Sequence, residues 1–203
     1  MADLLDMLRE TGLLQFGRFM EENEVTPFQL NLEFLPAYPD VLQCVVDLAR
    51  PLLNEDSVSR LLCTADALPL GVALSVQTQI PLVYSRGSAS PPVHDLVGAY
   101  DSGHPAVLLT NVLSDEKPIT ILAAHAKRAG LEAHRLIAII DLGTTVPPHG
   151  LETQAILKLP EIVRKLASSG KLAVGQAEAA EYWLAQRQTS NQVNSRPRDS
   201  TAP

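Results

Sequence analysis

Positive charge is what this sequence is short of. Its 23 acidic residues face 16 basic ones, for a formal charge of −7. General nucleic-acid binding draws its affinity from Lys and Arg neutralising phosphates, so an RNA or DNA partner is not expected. Cysteine is equally scarce: Cys44 and Cys63 are the only two. Each lies inside an apolar run and reads as a small buried hydrophobe, which leaves no disulfide framework and no cysteine pair for zinc. No stretch reaches the roughly 18–20 apolar residues of a membrane span. The opening MADLLDMLRE carries acids where a secretory leader needs positive charge. The expectation is a soluble, cytoplasmic protein with no membrane partner. The five histidines, His94, His104, His125, His134 and His149, fall at no metal-ligand spacing, so no metal site is expected. His125 is expected at a helix surface. No Gly-x-Ser-x-Gly elbow occurs, and neither cysteine has a base beside it.

What is present is enough apolar residue, 46% of 203, for one domain with a sizeable core. Asp3 can cap a helix with apolar positions Leu4, Leu5, Met7 and Leu8, stopped by Gly12. Residues 14–35 read as short extended pieces broken at Glu21–Glu24 and Pro27, and PFQLNLEFL alternates like a half-buried strand. Pro39 opens a helix to about Leu53, with Val41, Leu42, Val45, Val46, Leu48, Ala49, Leu52 and Leu53 on its buried side and Pro51 fraying its end. Strand and helix patterns then alternate. SRLLCT, PLVYS, AVLLTNV and HRLIAIID read as strands. LPLGVALSVQ and PITILAAHAKRAG read as helices, the second ending at Gly130, and HDLVGAY reads as an edge strand. Such alternation predicts a mostly parallel sheet covered by helices. Residues 159–169 and 175–188 read as two more helices. Trp183, the only tryptophan, packs on the domain or anchors a partner. The polar segment 189–203 reads as a disordered tail after a single domain of residues 1–188.

Taken in order, ETGLLQFGRF, TPFQLNLEFLPAYPDVL, LPLGVAL, IPLVYSRG, LVGAYDSG, AVLLTNV and AGLEAHR resemble orotate phosphoribosyltransferase, of the type I phosphoribosyltransferases, over roughly residues 4–170. The resemblance implies an α/β fold: a mostly parallel sheet flanked by helices, with a small N-terminal hood. It also implies transfer of a phosphoribosyl group from phosphoribosyl pyrophosphate to orotate, with Mg2+, in pyrimidine biosynthesis. A homodimer, or a heteromer with a related protein, is the partner it suggests.

The family's functional positions are where this chain departs. The family carries two adjacent acids after the apolar strand, which hold the ribose hydroxyls and stabilise positive charge on the sugar. Here they align with Thr110 and Asn111. The family's Thr-Thr-Gly-Gly phosphate loop wraps the anion with backbone N–H groups at a helix N-terminus; here it aligns with Ser114, Asp115, Glu116 and Lys117. Two carboxylates within about 4–6 Å of a phosphate dianion would cost several kcal/mol in a partly desolvated site, and Lys117 offsets only one. The Gly-rich pyrophosphate turn is replaced by Asp66 and Ala67, whose Cβ atoms block close backbone approach. Ordinary structural roles are open to all of these: 114–117 as a solvated turn with Ser114 or Asp115 capping the next helix, and Asp66 as cap of the LPLGVAL helix.

The mobile loop keeps Arg86 and His94 but no lysine, and Pro91-Pro92 stiffens it. The cations expected near the base align with Glu21–Val25, and the Asp-Arg pair after the last sheet strand has become Asp141-Leu142. Every expected cation for a dianionic substrate is therefore missing. The changes at the phosphate, pyrophosphate and base positions share one sign, so the cleft is expected to be hostile to a polyanion. The reading is a non-catalytic orotate phosphoribosyltransferase-like protein with a binding, scaffolding or regulatory role and no cofactor. One alternative is an active orotate phosphoribosyltransferase with an atypical site, using Mg2+ with the sugar donor. Another is a nucleotide or phosphoribosyl pyrophosphate sensor without turnover.

Overall fold

Alternation at a period of two decides the central sheet. In Leu61-Leu62-Cys63 and Ala106-Val107-Leu108-Leu109 every side chain is buried, yet neighbours point to opposite faces. Leu61, Cys63, Val107 and Leu109 join one apolar cluster; Leu62, Ala106 and Leu108 join the other. Strands buried on both faces belong in a parallel sheet between helices.

The computed structural model describes residues 3–21, 24–54, 57–87, 95–114, 116–144 and 151–194. Its strands are β1 (Leu14–Glu21), β2 (Glu24–Leu30), β3 (Arg60–Cys63), β4 (Leu82–Ser85), β5 (Leu96–Val97), β6 (His104–Leu113), β7 (Leu131–Asp141) and β8 (Glu152–Lys158). Its helices are α1 (Leu4–Glu10), α2 (Pro39–Ala49), α3 (Leu68–Thr78), α4 (Glu116–Arg128), α5 (Leu159–Ser168) and α6 (Val174–Asn194). The main sheet runs β5-β4-β3-β6-β7-β8, parallel throughout except β5, which pairs antiparallel with β4. This is the expected α/β arrangement, with HDLVGAY supplying only a two-residue edge strand.

One face of the sheet packs against α2, α3 and α5 through residues such as Val45, Leu74 and Val163, and α6 joins the same core through Ala180. The other is covered, among the described residues, by α4 through Ile119, Leu122 and Ala126. Gly130 ends α4 at φ +86; a Cβ there would lie 2.8 Å from the Ser102 Cα, so the tight passage into β7 needs glycine. The N-terminal hood is the antiparallel pair β1–β2. Its ladder is irregular between Phe16 and Phe19, across from Pro27, which has no N–H to contribute. Pro27 is thus accommodated inside β2 rather than breaking it.

Helix α6 closes over the hood. Trp183 meets Phe28 edge to face at 5.1 Å, and its Nε1 donates to Glu24 Oε1 at 3.2 Å. Of the two roles open to Trp183, the structure shows packing on its own domain. Helix α1 is capped by Asp3, whose side chain accepts from the Leu5 N–H at 3.3 Å, and is tied to the chain after α5 by Lys171 with Asp6 at 2.9 Å. Asp3 also pairs with Lys165, which holds the Asp3 carboxyl below its ordinary range and the Lys165 ammonium above its own. Both cysteines are free, and burial pushes the Cys63 thiol up to about 12. No helix among the described residues is long and apolar enough to cross a membrane.

Four details differ from the sequence reading. NLEFL does not continue the strand; residues Leu32–Ala37 form a 3-10 helix in which Leu32 and Leu35, three apart, are both buried. That spacing fits a three-residue turn, and Pro36 could not donate to a ladder. Leu48 is 43% exposed instead of buried, because α2 buries the Val41, Val45, Val46 and Ala49 stripe. Strand β8 was not anticipated; as the edge strand it is only half-buried, so ETQAILK lacks the strong apolar run of its neighbours. Finally, α6 runs to Asn194, six residues past the expected end at 188, so the start of the expected tail is helical; residues 195–203 lie outside the described residues.

Candidate functional site

Strand order decides where a ligand fits. From β3 the chain goes to β4 on one side and later to β6 on the other. The loops leaving the carboxyl ends of β3 and β6 therefore diverge, and the crevice between them is the usual ligand position in an open α/β sheet. A cavity of about 850 Å3 lies there. Thr64 and Asp66 enter it from the β3 end, Ser85 from β4, Thr110, Val112 and Ser114 from β6, and Lys117, Pro118, Ile119 and Leu122 from α4.

Of the residues singled out from sequence, the cavity gathers Asp66, Thr110, Ser114 and Lys117. Thr110 is buried, and its hydroxyl lies 3.5 Å from that of Thr64. Asn111 is buried beside the cavity rather than lining it, and its Nδ2 donates to the Asp66 carbonyl at 2.7 Å. It clamps the loop after β3 to β6. Ala67 is fully buried and does not reach the cavity. Asp66 does not cap α3: the N-cap position is Ala67, with no side-chain cap. Arg86 is exposed and does not line the cavity; its backbone N–H donates to the Asp95 carbonyl at 2.9 Å. Asp115, His94 and the side chain of Glu116 lie outside the described residues.

The start of α4 is a poor anion cradle. The first four N–H groups of a helix are the ones free to hold a phosphate. Pro118, third in α4, has none to offer. The cavity's described charges are those of Asp66, Asp95 and Lys117. Among the described residues no three of His, Cys, Asp and Glu gather as a metal site. Thr110 and Asn111 are uncharged, so β6 offers the cleft no adjacent carboxylate pair to hold Mg2+.

Ser85, Asp95 and His125 were missed. Ser85 Oγ donates to Asp95 Oδ2 at 2.6 Å, and His125 Nδ1 lies 3.4 Å from the same oxygen. His125 is only 14% exposed, not a surface residue, because it follows Leu122 by three and so shares the edge of the buried stripe of α4. That spacing was the available signal.

A second cavity, about 780 Å3, lies under the hood and shares Val112 and Ser114 with the first. Phe28, Leu30, Leu142 and Trp183 give it apolar walls, and Glu21, Glu24 and Arg187 its charges. Arg187 pairs with Glu24 and stacks 4.9 Å over the Trp183 ring. The cavity beneath the hood is therefore not without a cation: α6 brings Arg187 from far along the chain, although the positions read from the sequence are acidic.

No family model matches the chain. An orotate phosphoribosyltransferase of Chlamydia pneumoniae is 24% identical over 188 residues, covering 86% of this chain and 88% of that protein. The structure superposes on the Leishmania donovani UMP synthase with a TM-score of 0.76 at 21% identity, over 90% of this chain. This chain spans 42% of that longer one. It also matches an orotate phosphoribosyltransferase of Aeropyrum pernix, with a TM-score of 0.66 at 16% identity, over 82% of this chain and 99% of that one. The fold is that of the type I phosphoribosyltransferases. Within this phosphoribosyltransferase fold the chain is orotate phosphoribosyltransferase-like. Its two adjoining cavities occupy the crevice at the carboxyl ends of the strands and the space beneath the hood.

Proposed function

We propose that this orotate phosphoribosyltransferase-like protein does not catalyse phosphoribosyl transfer and acts by binding, as a scaffolding or regulatory partner. One observation carries the reading: the β6–α4 junction lacks what a polyanionic donor needs. Thr110 is uncharged, Asn111 is committed to the Asp66 carbonyl, and Pro118 removes an N–H from the first turn of α4. Asp66 adds negative charge at the facing loop. Preorganised positive charge is usually the largest contribution to such a reaction, and this cleft offers little of it. Self-association, or pairing with an active relative, in the cytoplasm is the setting that fits.

A second reading is favoured by one feature. Both cavities are open, and Arg187 supplies a cation under the hood. An atypical orotate phosphoribosyltransferase of pyrimidine biosynthesis would then hold the sugar with Thr110 and the phosphate with Ser114 and Lys117. A sensor that binds without turnover shares those contacts. Calorimetry with phosphoribosyl pyrophosphate and Mg2+, beside an orotidine monophosphate assay, separates the three. The non-catalytic reading expects neither heat of binding nor product; turnover overturns it, and binding alone selects the sensor.

A further inference from the structure

Ser85, Asp95 and His125 come from the end of β4, the residue before β5 and the third turn of α4, yet meet on one wall of the 850 Å3 cavity. Asp95 is 2% exposed and Ser85 8%. The directions of the hydrogen bonds follow from chemistry. The Gly87 N–H donates to Ser85 Oγ at 3.0 Å, so the serine's own proton goes to Asp95 Oδ2, 2.6 Å away. That same carboxylate oxygen faces His125 Nδ1 at 3.4 Å, long for a hydrogen bond but with one possible sense. A carboxylate accepts only, so Nδ1 carries a proton, and in the neutral ring the nitrogen left as acceptor is Nε2. Hydroxyls of Thr64, Thr110 and Ser114 line the cavity with it, and Ile119 and Leu122 give it an apolar wall.

We propose that the Ser85–Asp95–His125 relay anchors an uncharged polyhydroxyl ring, a free sugar or the sugar of a nucleoside, through a ligand hydroxyl that donates to His125 Nε2. A lone-pair acceptor set by a buried aspartate repels an anion and welcomes an O–H. The lining hydroxyls both donate and accept, which suits a ligand carrying several hydroxyls, and Ile119 and Leu122 face its apolar side. The volume lies within the roughly 300–1,000 Å3 of small-molecule sites. The inference rests on the non-catalytic reading only in taking the cleft's ligand to be uncharged.

The test is a titration of the full chain, 15N-labelled at histidine, with D-ribose, uridine and UMP at pH 8, His125 being assigned by its loss in His125→Ala. The free protein should show unprotonated Nε2, and that resonance should move with ribose or uridine and not with UMP. Ribose and uridine together assign a sugar site; uridine alone assigns a nucleoside site. Asp95→Asn, which lets the ring exchange tautomers, should weaken binding about tenfold, the loss of one oriented hydrogen bond. Should either variant fail to fold, as judged by circular dichroism, the wild-type resonance still decides. Protonated Nε2 in the free protein, or a shift with UMP alone or with no probe, overturns the proposal. The orotidine monophosphate assay is independent of it: no product and no shift sinks the anchor alone, product with a ribose or uridine shift sinks the non-catalytic reading alone, and product without that shift sinks both.

Discussion

Asn111→Asp would place a carboxylate against the Asp66 carbonyl that Asn111 now donates to, and the fold should not tolerate it. Asn111 is 4% exposed, with Nδ2 2.7 Å from the Asp66 carbonyl. Truncation to alanine leaves that carbonyl unpaired, at a cost of about 1–3 kcal/mol. An aspartate does worse: it exchanges a donor for a carboxylate facing a carbonyl, and an uncompensated buried charge costs about 3–5 kcal/mol. At about 2–4 °C per kcal/mol for a chain of 203 residues, Asn111→Ala should lower the melting temperature by about 2–12 °C and Asn111→Asp by about 6–20 °C at pH 8. The pH dependence has a definite sign. Burial and the carbonyl raise the new carboxyl's folded pKa above its unfolded value of about 3.9. The penalty is then absent below about pH 4 and grows as pH rises towards the folded pKa. Thermal melts of the three proteins from pH 4 to pH 8 should show the two variants converging in acid and separating in base. If Asn111→Asp melts within about 1 °C of wild type at pH 8, the clamp is not what Asn111 provides, and the proposal of a non-catalytic cleft is left without that support.

Two further outcomes test the frame around the site. Trp183→Ala removes the contact with Phe28 and should cost about 2–3 kcal/mol in chemical denaturation, with Trp183→Phe costing less than half as much; equal costs would refute ring packing as the link between hood and α6. Asp3→Ala removes both the α1 cap and the Lys165 pair, whereas Asp3→Asn keeps the cap and loses only the pair. The Asp3 carboxyl is held low by Lys165, so the pair's contribution is present above the unfolded aspartate value of about 3.9 and disappears as pH falls through the lower folded value. Asp3→Asn should therefore melt below wild type at pH 7 and approach it as pH falls through the lowered folded value, Asp3→Ala remaining lower throughout; a gap for Asp3→Asn that does not narrow in acid refutes the assignment.

How much of this could be seen in the chain itself depended on how local the cause was. The strands β3, β6 and β7 were legible because burial on both faces writes itself as continuous Val, Ile and Leu. Strand β8 was not, since an edge strand needs no such run. Thr110, Ser114, Lys117 and Asp66 could be assigned to one cleft because each lies at the end of a legible strand or just after it. Asp95 and His125 could not, because what joins them is the fold, across 30 residues of sequence. Electrostatics divides the same way. The acids that follow β3 and β6, namely Asp66, Asp115 and Glu116, are local and were readable. That the expected base-side positions lack a cation was local too; that Arg187 stands under the hood was not readable, because it arrives from α6, 163 residues after the Glu24 it pairs with. Arg187 is already neutralised by that partner and stacked on Trp183, so a ligand anion would have to compete with Glu24 for it. Under the hood the positive charge is present, but it is committed to Glu24 and to holding α6 in place.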